Sequence, residues 1–123
     1  MYKLFHNNRC SKSRECKKIL DEKNILFKTI DYSKIGLSKK QLSNMIDKIL
    51  TDYKKIVRTN ENEFLKNPFD LDNKEKIINF LNQYPSCLQR PMFFNGVNYI
   101  ICRPPKKVLE ALKVVEGVGF EPT

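Results

Sequence analysis

The spacing of apolar residues changes several times along this chain, and each change predicts a new element. Tyr2 to His6 (YKLFH) alternates and predicts a short buried strand. From Ser11 to Lys23 the spacing turns helical, with Cys16, Ile19 and Leu20 on one side and charges between them. Asn24 suits the end of that helix. Leu26 to Asp31 (LFKTID) predicts a second strand. Strand, helix and strand in so short a stretch make a βαβ unit, so the two strands should run parallel.

Beyond Gly36 the pattern is helical. Ser38 and Gln41 have the spacing of a capping box, ahead of an apolar stripe at Leu42, Met45, Ile46 and Ile49. A short helix is expected around Asn60 to Lys66, stopped by Asn67-Pro68. Asp72 and Glu75 repeat the capping spacing ahead of Ile77, Ile78 and Leu81. Strand character returns at Pro91 to Phe94. Asn95-Gly96 then predicts a hairpin, with Val97 to Cys102 as the return strand. Pro104-Pro105 opens a last helix whose apolar face is Val108, Leu109 and Leu112.

The expected fold class is therefore α/β: a βαβ unit, a helical insertion at about 36–84, a β-hairpin and a C-terminal helix around a small mixed sheet. One domain is expected over residues 1–114. The tail 115–123 (VEGVGFEPT) has no periodicity and is expected to be disordered. Its Gly-Phe-Glu-Pro looks like a translated tRNA T-arm, as if the reading frame ran past the domain, and no role is assigned to it.

Composition narrows the classes. No apolar run reaches the roughly 20 residues of a membrane span, and the N-terminus lacks the apolar stretch of a signal peptide. A cytoplasmic location and a monomer are expected. Four cysteines in such a chain read as reduced thiols rather than a disulfide framework. The net charge of +9 admits nucleic acid or an anionic ligand. The lysines are scattered over polar helix faces, however, and zinc-finger, RNP and long basic-tract patterns are missing, so nucleic acid is not expected. One histidine and no zinc-type cysteine spacing leave no usual protein metal site.

The candidate chemistry starts at Cys10, which ends a strand-to-helix turn with Ser11, Ser13 and Arg14 after it. Free N–H groups at a helix start bind anions and stabilise a thiolate, although a cysteine there can also be an ordinary buried thiol. Cys10-Ser11-Lys12-Ser13 is C-x-x-S, so a redox cycle needs an outside thiol. Arg58, Arg90 and Arg103 each stand beside an apolar run at an element boundary, in a chain where lysine is the usual cation. Their planar forks suit tetrahedral oxyanions. Pro91, just before a strand, is a candidate for a cis peptide. Cys16 and Cys102 are expected in the core. Cys87 is expected there too, though its loop could bring it towards a bound thiol. His6 is either a satisfied buried side chain or a partner of the thiolate.

HNNRCSKSRE, VRTNE, Arg90-Pro91 before the hairpin, and CRPPKKVLE, in this order, resemble the glutaredoxin-linked arsenate reductase family. The resemblance covers about residues 2–113. It implies a thioredoxin-like fold with a helical insert. It also implies that Cys10 attacks arsenate, that glutathione acts as co-substrate with no bound cofactor, and that glutaredoxin completes the cycle and arsenite is released. On this resemblance Arg58, Arg90 and Arg103 take the oxyanion-binding positions, while His6, Ser13 and Arg14 tune the thiol or support the anion. Asn8 stands where the family often has proline, and Cys102 where a small residue is common.

Alternatives are a same-fold enzyme acting on another substrate, such as a glutathione conjugate, and a thiol-stress regulator that binds RNA polymerase. The regulator branch typically carries C-x-x-C, whereas position 13 here is serine. Phosphatase-type arsenate reductases need C-x5-R, and position 16 is cysteine.

Overall fold

The computed structural model describes residues 1–112; the expected tail, 115–123, lies outside the described residues. Four strands form one sheet in the order β2-β1-β3-β4, with β1 at Tyr2–Phe5, β2 at Phe27–Ile30, β3 at Met92–Phe94 and β4 at Tyr99–Ile101. β1 and β2 are parallel, as the intervening helix α1 (Ser11–Glu22) requires. β3 is antiparallel to both β1 and β4.

Side chains alternate across the sheet and divide the core in two. Leu4 and Phe93 face one side, with Cys16 and Leu20 of α1 and with Val108 and Leu112 of the last helical segment, 107–112 (α6). Phe5 and Met92 face the other side, against the helical insertion. That insertion holds α3 (Lys39–Lys48), a 3-10 turn (Tyr53–Ile56), α4 (Asn62–Lys66), α5 (Lys74–Gln83) and a second 3-10 turn (Pro85–Cys87). Phe64, Phe69, Phe80 and Tyr84 pack ring on ring within it, at centroid separations of 5.1–6.0 Å.

The insertion is tied back to the sheet. Leu50 N–H donates to the Tyr99 carbonyl, and Val57 bridges Leu88 in antiparallel fashion. Arg58 N–H donates to the Cys87 carbonyl at 2.8 Å, and Gln89 N–H to the Ile56 carbonyl at 2.7 Å. This two-stranded contact carries the chain from Arg58 alongside the approach to Arg90.

The local signals mostly placed their elements. The Ser38–Gln41 capping box is formed in both directions. Asn24 takes φ 56 after α1, as an asparagine ending a helix can. Three details differ from expectation. The cap of α5 is Asn73, whose side chain accepts from Lys76 N–H; Asp72 lies one residue too early. The hairpin loop is longer than a two-residue Asn-Gly turn. The Asn95 side chain accepts from Val97 and Asn98 N–H, which holds residues 95–98 as a loop and delays β4 to Tyr99. A one-turn helix, α2 (Tyr32–Ile35), follows β2 directly and had no periodic signal of its own; Gly36, at φ 78, ends it.

Candidate active site

The sheet topology gathers the candidate residues at one end. The parallel strands β1 and β2 end side by side, so Asn7 to Cys10 lies next to Asp31 and Tyr32. The antiparallel β3 starts at this same end, because Phe5 pairs with Met92. β4 finishes there, because Met92 pairs with Ile101. Arg90-Pro91 and Arg103 thus arrive beside the Cys10 loop from the other half of the sheet. The Arg90–Pro91 peptide is cis, and so is Arg103–Pro104.

Cys10 is the N-cap of α1, with extended backbone (φ −93, ψ 120) and no side-chain capping bond. The first turn of α1 carries no acidic residue, so its N–H groups are left to the thiol. Burial pushes this thiol up. The Ser13 N–H, the Arg90 guanidinium and the Lys12 N–H outweigh it, and the net shift is downward from the ordinary value. Cys10 is partly exposed and therefore open to a reagent.

The other cysteines differ. Cys16 and Cys102 are fully buried in the core on the α1 side of the sheet, and Cys102 is held far up by its contact with Cys16 and by burial. Cys87 is buried too, on the insertion side. Burial and the Glu63 and Glu61 carboxylates push it up to about 11.

His6, Asn7 and Ser13 lock the loop. Ser13 Oγ accepts from Asn7 N–H at 3.1 Å and lies 2.6 Å from His6 Nδ1. Burial lowers the His6 pKa and so favours the neutral ring, whose Nδ1 shares one hydrogen bond with the Ser13 hydroxyl. His6 therefore bears on Cys10 through Ser13, whose own N–H faces the sulfur. Arg14 donates to the Asn8 carbonyl at 2.7 Å and braces the same loop from outside.

The three arginines are not equivalent. Arg90 acts on Cys10 and donates through one terminal nitrogen to the Ser86 carbonyl at 3.0 Å. Arg103 donates to the Arg90 carbonyl at 2.7 Å and so sits one layer out. Arg58 pairs with Glu61 at 3.1 Å and donates to the Gln89 side chain at 2.9 Å. Gln89 Oε1 also accepts from Arg90 N–H at 3.2 Å, which links Arg58 to Arg90. Beside Arg103 opens a cavity of about 560 Å³ lined by Gln89, Lys54, Lys55 and Lys107. The positive charge is thus gathered close to this end of the sheet.

Tyr32 is a neighbour that the motifs did not point to. It is fully buried, and its hydroxyl has no hydrogen-bond partner. Arg90, Cys10 and Asn7 lie around it. Its only sequence signal is its place, directly after the second parallel strand.

The fold is of the thioredoxin-like class, and its candidate site centres on one partly exposed cysteine at a helix start. The chain belongs to the ArsC family, whose model matches residues 5–111. It is 30% identical to an arsenate reductase of Haemophilus influenzae over 114 residues, covering 89% of this chain and 97% of that protein. An arsenate reductase of Neisseria meningitidis serogroup A is 27% identical over 111 residues, covering 86% and 93%. A solved arsenate reductase structure from Vibrio cholerae superposes with a TM-score of 0.80 over 89% of this chain and 96% of that one. At 22% identity, it shows the shared fold. Among the described residues no helix is long and apolar enough to cross a membrane.

Proposed function

We propose that this protein reduces arsenate to arsenite, with Cys10 as nucleophile and glutathione and glutaredoxin supplying the electrons. The observation that carries the reading is the Cys10 thiol itself. It is lowered by two helix N–H groups and by Arg90, in a chain of the ArsC family. A thiolate next to a guanidinium fork can draw in an oxyanion and attack its central atom.

The Cys10 sulfur bonds to arsenic and one arsenate oxygen leaves as water, giving a thiol–arsenate adduct. The glutathione thiol then attacks the Cys10 sulfur of the adduct. The S–As bond breaks, its electron pair stays on arsenic, and arsenite departs. The Cys10–glutathione disulfide left behind is reduced by the glutaredoxin thiol, which takes the glutathionyl group and restores Cys10. The outside thiols are needed because position 13 is serine and Cys16, Cys87 and Cys102 are buried. Arg58, Arg90 and Arg103 supply the positive field for the anion, Arg90 most directly.

The test is arsenate-dependent NADPH oxidation coupled through glutathione, glutaredoxin and glutathione reductase, with wild type beside Cys10→Ser. Turnover is expected in wild type and only background in the variant, since an alcohol is a poor nucleophile at neutral pH. Turnover retained by Cys10→Ser would defeat the mechanism. A wild type that is inactive towards arsenate, with a reactive Cys10, would move the substrate elsewhere.

A further inference from the structure

Two buried polar atoms at this end of the sheet have no hydrogen-bond partner: the Tyr32 hydroxyl and Arg90 Nε. A buried polar group without a partner is destabilising, and such groups in folded proteins are rare. Here they occur together, with the Arg90 guanidinium and the Asn7 side chain both beside the Tyr32 hydroxyl. Tyr32 is 0% exposed and belongs to the core cluster that also holds Phe5, Leu37 and Met92, where a phenylalanine ring would serve as well for packing. Its hydroxyl, although beside the Arg90 guanidinium and the Asn7 side chain, completes no hydrogen bond within the protein. Both atoms are donors: the Arg90 guanidinium acts directly on the Cys10 sulfur that would carry an oxyanion, and the Tyr32 hydroxyl lies within its electrostatic reach.

We propose that the Tyr32 hydroxyl and Arg90 Nε–H form a two-donor site for one oxygen of a tetrahedral oxyanion held at the Cys10 sulfur. Tyr32 is then a substrate-binding residue, supplied by the turn after β2 rather than by any of the arginine motifs. The anion satisfies two donors that the free protein leaves orphaned, so the cost of burying them is recovered only in the complex. An uncharged donor beside a charged one also favours an oxygen that gains charge during the reaction over ordinary chloride or water. The inference rests on the oxyanion chemistry proposed above, but it concerns the class of ligand and not arsenate alone.

The test is Tyr32→Phe, with three readouts on the full chain. The thermal midpoint of the free variant should rise by about 3 °C, because an unpartnered buried hydroxyl has been removed. Protection of Cys10 against iodoacetamide by added arsenate or inorganic phosphate should weaken roughly 10-fold, and kcat with arsenate should fall roughly 10- to 100-fold. A variant that keeps full anion protection and full kcat overturns the proposal. So does a lowered thermal midpoint, since the hydroxyl would then be doing structural work. If the wild type fails to reduce arsenate, yet phosphate protects it and this protection weakens in Tyr32→Phe, the oxyanion site stands and the arsenate reading falls. If neither anion protects wild-type Cys10, the two-donor site is refuted.

Discussion

At the scale of single residues, the site depends on which form of each titratable group its neighbours favour. Cys10 is held towards thiolate by donors, and His6 is held neutral by burial. The histidine has a consequence for stability. Its folded pKa lies below the ordinary 6.5, so above that value it is neutral in both states and the Ser13–His6 bond is intact. As pH falls below 6.5 the unfolded chain takes up the proton first. Stability is lost progressively, until the pH passes below the folded pKa. Wild type should therefore lose more urea stability between about pH 7.5 and about pH 5.5 than His6→Gln does. Equal losses would show that the His6–Ser13 contact does not discriminate between the two forms. Cys10, Arg90 and Pro91 stood out in the sequence because their chemistry or stiffness is unusual wherever they occur. Tyr32 did not, since a tyrosine is unremarkable until its hydroxyl is found buried and unpartnered.

At the scale of elements, α1 and α3 start in opposite ways. α3 closes its N-terminus with the Ser38–Gln41 box, at 3.1 and 3.3 Å. α1 begins on Cys10 with no capping bond and keeps its N–H groups for the sulfur. Ser38→Ala should cost about 1 kcal/mol, read from the urea midpoint, and leave the pH dependence of Cys10 alkylation unchanged. A shift in that alkylation profile would mean that the two helix starts are coupled through the core. The helix starts were readable because capping depends on residues three apart in the chain. The cap of α5 fell to Asn73 instead of Asp72, because only the backbone geometry decides which of two adjacent capping residues turns first. α2 was hidden for a similar reason: four residues are too few to show a helical period, and the burial of Tyr32 holds it.

At the scale of the whole molecule, Gln89 joins parts that are distant in sequence. It accepts from Arg58, 31 residues away, and from the backbone of Arg90 beside the site. Gln89→Leu should raise the arsenate KM about tenfold, equivalent to about 1.4 kcal/mol, while costing the fold about 1 kcal/mol. An unchanged KM in steady-state assays would remove Arg58 from the anion field. The parallel βαβ pair, the capped insertion, the hairpin and the place of Cys10 at a helix start were determined by the sequence itself, because each follows from residues a few positions apart. The separate hydrogen-bond partners of the three arginines and the placing of Tyr32 beside Arg90 were decided only by the tertiary structure. Each depends on which strand ends meet at one end of the sheet, and that is settled by pairing between segments tens of residues apart, where no local pattern reaches.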